Sequence, residues 1–436
     1  MKKFSLTLIT IYLFFAITLV SIPSILAQCI DQPFPTQPNK NLAVKCLTVK
    51  QPIKKLKSQV SNNTDMLEIR FDCAINDETI CAKVKSTFEE AGRIITSALT
   101  LYTQIIVNVT FREMMSPAIL GSARPFRSMP LKDDDGIERL YPQSLVKQLQ
   151  LTSHPEFAPV DIVADFNSLV ALWFEGDPPI TSKQVGFLEL ILHELMHGLG
   201  FVSAWGDYFP KAATPEVNDF IESENSNSKA MTVFGGFQEK AFDKYLVIFP
   251  DNVTTSSYIK ELNKFADGSA FKNFDDFYVK FIASPQYLVA KEIYNHFVTP
   301  KSLVFKPSVS DKEEDWTYLE TTLNPFERGS SVSHVDNMMY TNTSDFLMTY
   351  RQELGRTLND NIGIGGNYAG GAISYKLRLI LESLGYTVNY PSPFPSNETD
   401  PVTENSIPTS LSTRNFAYQS SIAYIVGIVM IINALL

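Results

Sequence analysis

Two histidines four residues apart, in a stretch with helical periodicity, restrict the fold of this chain more than any other feature. They belong to the segment His193-Glu194-Leu195-Met196-His197. An apolar stripe recurs around them at helical spacing: Val185, Leu188, Leu192, Leu195 and Leu199. Thr181 with Gln184 predicts a capping box at the start of this helix, and Gly200 predicts its end. The pattern therefore predicts an amphipathic helix that presents both imidazoles on one face.

Two imidazoles one helical turn apart can both bind a tetrahedral Zn²⁺ at about 2.0–2.1 Å. Glu194 is then expected to lie beside the metal, where it can take a proton from metal-bound water and later deliver it to a leaving amine. Two histidines can share this spacing by chance, but the chain contains only five histidines and the predicted helix is strongly amphipathic. We predict Zn²⁺ as the cofactor, His193 and His197 as ligands and Glu194 as the catalytic residue.

A catalytic zinc site needs a third protein ligand, and a family resemblance suggests which one it is. The segment 193–201, HELMHGLGF, resembles the start of the metzincin signature HExxHxxGxxH, but Ser203 stands where that signature has its third histidine. Leishmanolysin-type metzincins have an insertion at this point, followed by a distant histidine and a methionine turn. His334 and Met348 match that order. The resemblance implies His334 as the third metal ligand and Met348 as an apolar floor beneath the metal.

Other residues could fill the third position. Glu216 or Glu222 would supply the carboxylate that a different clan of zinc peptidases uses, although neither lies in a convincing helical context. His154 precedes a proline and is expected in a surface loop. His296 lies in an aromatic helical stretch, where a packed or partly exposed histidine is expected.

Three further roles follow from the resemblance or from general zinc chemistry. Asp336 is predicted to orient His334 through a hydrogen bond. Tyr350 either reaches the metal and the oxyanion or packs within the methionine turn. Metzincins bind extended substrates antiparallel to an edge strand, and Asp161–Phe166 is the expected edge strand.

The fold class predicted is α+β. Alternating or β-branched residues predict strands at Met66–Cys73, Gln104–Phe111 and Asp161–Phe166. Helical spacing recurs at Thr79–Leu99, Gln238–Ile248, Tyr287–Phe297 and Ile373–Leu384. Together these patterns predict a mixed N-terminal sheet and an active-site helix. The metzincin resemblance implies a large insertion at about 202–320 and a C-terminal helical subdomain.

The ends of the chain predict export. Residues 1–27 are typical of a secretory signal peptide, and residues 28–60 form an N-terminal segment that is a possible pro-region. The metallopeptidase domain is expected at 61–390. A Ser/Thr/Pro-rich linker follows at 391–413, and the apolar tail 414–436 is typical of a glycolipid-anchor signal, with a membrane anchor as the alternative. The chain is thus predicted to be secreted and held at the outer cell surface.

Cysteine usage agrees with that compartment. Two disulfides are expected, with three possible connectivities, and we favour Cys29–Cys46 and Cys73–Cys81 because each would close a short loop. An unpaired cysteine that blocks a zinc site in a zymogen is the alternative. Possible N-glycosylation sites are Asn62, Asn108, Asn252, Asn342 and Asn397. The net charge of −10 becomes −12 once Lys2 and Lys3 leave with the signal peptide, and no long basic stretch is present, which argues against nucleic acid as a partner.

The sequence predicts a zinc endopeptidase that acts on protein or peptide substrates. The main alternative is a cell-surface adhesion or binding protein on a metallopeptidase scaffold that has lost activity. Retention of Glu194 argues against that alternative, because metal binding alone does not require this carboxylate. A non-peptidase zinc hydrolase is a further alternative. The sequence makes no prediction about oligomeric state.

Overall fold

The predicted helix packs against a sheet formed by the N-terminal part of the chain. The structure is a computed structural model, and it describes residues 27–36, 41–50, 66–116, 118–216, 221–222, 232–265 and 270–391. Most of the predicted signal peptide, part of the N-terminal segment, the linker and the apolar tail lie outside these ranges.

The strands are, in chain order, β1 (Ala27–Asp31), β2 (Leu42–Cys46), β3 (Thr48–Lys50), β4 (Leu67–Cys73), β5 (Leu99–Thr100), β6 (Ile105–Arg112), β7 (Gly121–Pro125), β8 (Arg127–Lys132), β9 (Glu138–Pro142), β10 (Ser153–Pro155), β11 (Ile162–Asn167), β12 (Leu172–Trp173), β13 (Val185–Gly186), β14 (Trp205–Phe209), β15 (Ala212–Pro215), β16 (Ile221–Glu222), β17 (Thr232–Val233), β18 (Leu246–Ile248), β19 (Val253–Thr254), β20 (Ala270–Phe271), β21 (Leu303–Phe305), β22 (Thr317–Tyr318) and β23 (Thr387–Val388).

The α-helices are α1 (Glu78–Ala98), α2 (Gln143–Val146), α3 (Phe187–Gly198), α4 (Thr255–Leu262), α5 (Phe274–Ile282), α6 (Pro285–Phe297), α7 (Asn337–Tyr340), α8 (Leu358–Ile364) and α9 (Tyr375–Leu384). Short 3₁₀ turns lie at Ala241–Tyr245, Asn263–Phe265, Glu313–Asp315 and Phe346–Met348. The described part of the chain is thus mixed α+β, as predicted.

The N-terminal sheet has the order β4-β6-β11-β7. Strands β4, β6 and β11 are parallel, whereas β7 pairs antiparallel with β11. The prediction that Asp161–Phe166 forms an edge strand was wrong, because β11 lies inside the sheet and all six of its residues are buried. The edge strand next to β11 is β7, whose sequence GSARP contains a proline and little β propensity, features that edge strands tolerate.

Helix α3 packs closely against this sheet. Phe187, at the start of the helix, contacts Phe88 of α1 and Phe166 of β11 edge to face, with ring centroids 6.2 and 5.5 Å apart. At the other end of the helix, a Cβ added to Gly198 would lie 2.5 Å from the Ile162 side chain. The glycine therefore permits the approach that fixes the C-terminal turn of α3 against β11.

The start of α3 differs from the prediction, and its end agrees with it. Thr181 and Gln184 do hydrogen-bond to each other, but they form a turn before the short strand β13, and the helix begins only at Phe187. At the other end, Gly200 has φ +113°, and the Phe201 N–H donates to the Met196 carbonyl at 3.0 Å. This is a Schellman motif, which confirms Gly200 as the helix stop.

The described part of the N-terminal segment is integrated into the fold. Both predicted disulfides are present, Cys29–Cys46 and Cys73–Cys81. Strand β1 pairs with β2 and with β8, and Cys29 and Cys46 are completely buried. Separating this hairpin from the rest of the chain would therefore expose an apolar cluster that also contains Met129 and Val146.

Beyond α3, the insertion is only partly as predicted. Tyr287–Phe297 lies within helix α6, as expected. Gln238–Ile248 is not an α-helix: it contains the 3₁₀ turn Ala241–Tyr245 and strand β18, which lies between β19 and β21. The β-branched residues in this segment favour the strand. Helix α9 confirms the last predicted helix, with Ser374 as its N-cap and Gly385 as its stop.

The chain divides into two units, residues 1–131 with 138–391, and residues 132–137 with 392–436. Within the second unit, the structure describes only the turn at 132–137, which the Asp133 N–H closes by donating to the Ile137 carbonyl at 2.8 Å. Within the described ranges, no helix combines the length and apolar content needed to cross a bilayer.

Candidate metal centre

Three imidazoles meet at one point. The Nε2 atoms of His193, His197 and His334 lie 3.1 to 3.2 Å from one another. The structure thus brings together the two histidines of the helix and the distant histidine that the family resemblance implied. The third histidine is separated from the second by 137 positions in the sequence.

The other ring nitrogen of each histidine contacts a backbone carbonyl. Nδ1 of His193 lies 2.7 Å from the Leu347 oxygen, and Nδ1 of His197 lies 2.7 Å from the Phe201 oxygen. Nδ1 of His334 lies 2.9 Å from the Ser330 oxygen. A carbonyl oxygen only accepts, so each Nδ1 must be the protonated nitrogen. In the neutral rings, the three Nε2 atoms therefore direct lone pairs at one another.

Facing lone pairs at this separation repel each other unless a cation lies among them. Two ligands about 2.0–2.1 Å from a tetrahedral zinc are about 3.3 Å apart, close to the spacing of the Nε2 atoms. Among the described residues, the three histidines also form a group whose ligand atoms lie within 4.8 Å of one another. The donor set and its spacing thus fit a zinc ion with one position open for another ligand.

Burial keeps the three rings neutral, which is the form that binds a metal. Loss of solvation lowers the pKa of His193. The same effect, reinforced by neighbouring His193, lowers the pKa of His197 to about 3. The pKa of His334 also lies well below its usual value, because of burial and the two neighbouring histidines.

The methionine turn connects the helix to the third histidine. Leu347 in this turn supplies the carbonyl that orients His193, and the Met348 carbonyl accepts a 2.8 Å hydrogen bond from the Val335 N–H. The side chain of Met348 is buried. The turn predicted from Met348 is therefore adjacent to both ligand-bearing segments, and Tyr350 lies two residues beyond it, partly buried.

Backbone strain accompanies the third ligand. Val332, two residues before His334, has φ +66°, a conformation that is unfavourable for a β-branched side chain. The backbone of Glu320 holds the segment on both sides of this residue: its carbonyl accepts from the Val332 N–H, and its N–H donates to the His334 carbonyl. Such strain costs about 1–3 kcal/mol and persists only where the surrounding contacts impose it.

Glu194 is buried beside the histidines. Its Oε2 accepts a 2.8 Å hydrogen bond from the backbone N–H of Ala123 in the edge strand β7. Burial raises the pKa of Glu194 to about 7, and the bond from Ala123 partly opposes this shift. A carboxyl group with a pKa near neutrality can both take and return a proton at physiological pH.

Two predicted roles do not match the structure. Asp336 does not orient His334: its Oδ1 accepts from the Met339 N–H and caps helix α7, a role that a short acidic side chain before a helix often has. His154 is not a surface residue, because it is 5% exposed and stacks on Phe157 with ring centroids 4.0 Å apart.

The remaining candidates lie outside the histidine group. His296 is partly buried on α6 with its ring edge to face on Tyr258, as predicted. Ser203 donates to Asp243 at 2.6 Å and lies outside the histidine group. Glu216 accepts a hydrogen bond from Asn41. The side chain of Glu222 is not among those the structure describes.

Sequence reasoning missed two kinds of contributor to the site. The backbone groups of Ala123, Leu347 and Ser330 leave no side-chain pattern from which they could be recognised. Glu189, one turn before His193, is buried and accepts a 2.7 Å hydrogen bond from the Asn361 side chain at the start of the C-terminal region. The sequence signal for the contact between Glu189 and Asn361 was the presence of a carboxylate within the apolar face of a predicted helix.

Glu189 makes the stability of the fold depend on pH. Burial raises its pKa to about 7, against an ordinary value of 4.5. The folded protein therefore holds this proton more tightly than the unfolded chain, and stability falls as pH rises from about 4.5 through 7. We expect Glu189→Gln to match the wild type near pH 4.5 and to exceed its unfolding free energy by up to about 3 kcal/mol at pH 8.

Urea denaturation between pH 4.5 and 8 measures this difference, with the exposed Glu89→Gln on α1 as the control. A Glu189→Gln variant less stable than the wild type at pH 8 would mean that the carboxylate is ionised and stabilising in the fold.

Comparisons with known proteins identify the family of this chain. Residues 25–417 match the sequence profile of the SPBPB7E8-like family. The chain is also similar to the uncharacterized protein PB7E8.01 of Schizosaccharomyces pombe, at 28% identity over 366 residues, which covers 75% of this chain and 64% of that relative. No solved structure matches. Since the profile matches most of the chain, the chain belongs to the SPBPB7E8-like family.

Proposed function

We propose that this protein is a secreted or surface-anchored zinc-dependent endopeptidase of the metzincin type. The observation on which the proposal depends is the convergence of three Nε2 lone pairs at 3.1 to 3.2 Å beside a buried glutamate. Among the described residues, the three Nε2 atoms contact one another and no hydrogen-bond donor, whereas a divalent cation would stabilise the arrangement. Zinc supplies a Lewis acid that polarises a carbonyl and lowers the pKa of water to about 7.

The roles of the protein's own groups follow from their positions. His193, His197 and His334 would hold the ion, and their Nδ1 hydrogen bonds fix the orientation of the rings. Glu194 would take a proton from the attacking water and transfer it to the leaving amine. The Ala123 N–H holds the Glu194 carboxylate on the side of the edge strand, where a bound peptide would lie.

The edge strand β7 replaces β11 as the expected substrate-binding strand. Ala123 directs its N–H away from β11 and toward Glu194, so its carbonyl, together with the polar backbone groups of Gly121, faces the same side. An extended peptide could pair with these groups, which would provide affinity that is independent of its sequence. This position also brings the peptide backbone to the catalytic carboxylate.

The proposal is tested by cleavage of a mixed peptide library, analysed by mass spectrometry. We expect internal peptide bonds to be cut by the purified chain, no cutting after treatment with a chelator, and recovery when one equivalent of zinc is restored. The geometry provides three protein ligands for a single ion, which is why one equivalent should suffice. A chain that binds zinc but cuts no peptide would instead support the adhesion alternative or a non-peptidase hydrolase.

A further inference from the structure

One guanidinium nitrogen of Arg124, in the edge strand β7, has no hydrogen-bond acceptor among the described residues. Arg124 directly follows Ala123, whose N–H binds Glu194, so its backbone lies about 3.4 Å along the strand from the catalytic contact. Its Nη1 atom is buried and has no hydrogen-bond partner among the described residues. A guanidinium is always charged, and a buried donor without an acceptor costs about 1–3 kcal/mol. An incoming anion would remove that cost.

Two carboxylates lie in this region: Glu216 acts on both Arg124 and Lys240, and Asp243 acts on Lys240. Glu216 lies close enough to counteract the effect of burial, which lowers the pKa of Arg124, but it accepts a hydrogen bond from Asn41. Asp243 accepts from the Ser203 hydroxyl and from the backbone N–H groups of Ala204 and Lys240. Among the described residues, neither carboxylate forms an ion pair with Arg124 within 4.0 Å.

A second cation lies close to Arg124. Lys240 donates to the Ser203 carbonyl at 3.2 Å, just beyond the end of the metal-binding helix. Burial lowers the pKa of Lys240, Glu216 raises it and Arg124 lowers it, so the two cations interact directly. The same lysine also acts on His197. The charged groups therefore lie between the edge strand and the end of α3, beside the candidate centre.

We propose that Arg124 recognises a carboxylate of the substrate and gives this peptidase a preference for acidic peptides. The inference rests on the proposed function. The carboxylate belongs either to an Asp or Glu side chain or to the C-terminus of a short substrate, and it lies within about two residues of the scissile bond, the distance that an arginine beside Ala123 can reach. The planar guanidinium suits either source, because it can bind both carboxylate oxygens at once.

Matched peptides distinguish the two sources. A peptide from the library is varied to Glu, Gln or Lys at the two positions on each side of the scissile bond, and each version is made with a free and an amidated C-terminus. If the carboxylate comes from a side chain, we expect kcat/KM to be about 10- to 100-fold higher for the Glu peptide than for the Gln peptide at one position. If it comes from the C-terminus, we expect the same ratio between the peptide with a free C-terminus and the amidated peptide. The Lys peptide should be the poorest substrate.

Variants of Arg124 test the assignment. Arg124→Met should abolish the preference by lowering kcat/KM on the Glu peptide to the value for the Gln peptide, with zinc content unchanged, and Arg124→Lys should retain part of the preference. Arg93→Met, at an exposed arginine of α1, is the matched control and should leave the preference intact.

Two other outcomes would contradict the role of Arg124, and they differ in what they imply for the proposed peptidase. Zinc-dependent cleavage without preference for any carboxylate, or an equal loss on Glu and Gln peptides in Arg124→Met, would overturn the role of Arg124 and leave the peptidase standing. Absence of zinc-dependent cleavage of every peptide would overturn both proposals.

Discussion

Glu194→Gln is expected to bind zinc as the wild type does and to hydrolyse peptides about 10³-fold more slowly. Glutamine has the same shape and can still accept the hydrogen bond from the Ala123 N–H, so the fold and the three histidines should be unaffected. Its amide cannot take a proton from water at neutral pH. Zinc content by elemental analysis and kcat/KM on the peptide found by library screening are the two measurements.

Glu189→Gln is the matched control for this variant, because it makes the same change on the same helix at a buried position outside the histidine group. It should retain wild-type turnover. A Glu194→Gln protein that kept a tenth or more of its activity would show that another group moves the proton, and the assignment of Glu194 would be wrong.

His334→Ala is expected to lower zinc affinity by at least about 100-fold, because two histidines of one helix remain where a catalytic site uses three protein ligands. The wild type should contain about one zinc per chain. Equilibrium dialysis against a zinc buffer gives both values. The Nδ1 contacts of His193 and His197 involve Leu347 and Phe201, so these two ligands should keep their orientation in the variant.

His296→Ala is the control for the loss of a histidine, since His296 lies on α6 outside the metal-binding group. Its zinc content should equal that of the wild type. Full zinc content in His334→Ala would mean that a carboxylate, and not His334, is the third ligand. That result would contradict the metzincin resemblance. Absence of zinc in the wild type would favour the adhesion alternative.

The sequence predicted local features well. The periodic stripe around His193 predicted helix α3, and Gly200 predicted its end, since a left-handed residue at that point requires glycine. Cysteine spacing predicted both disulfides. These features depend on residues close together in the chain, whose geometry is set by backbone chemistry.

Features that depend on distant partners were harder to predict. Asp161–Phe166 was assigned to the edge because it lies just upstream of the helix, whereas the strand that pairs on its outer side, β7, comes earlier in the chain. The start of α3 was wrong because Thr181 and Gln184 bond to each other equally well in a turn. Asp336 was assigned to His334 from proximity in sequence, whereas the N-terminus of helix α7, which begins at the next residue, uses the carboxylate.

The separation of His197 from His334 has a consequence for folding. A metal bound to both closes a loop of 137 residues, whereas the disulfides close loops of 17 and 8. Since the entropy of loop closure grows with the logarithm of length, this link would restrict the unfolded chain by about 2 kcal/mol more than the longer disulfide does. The ion would thus act as a long-range cross-link between helix α3 and the segment that contains His334. The affinity of the centre for the metal would therefore contribute directly to the stability of the fold.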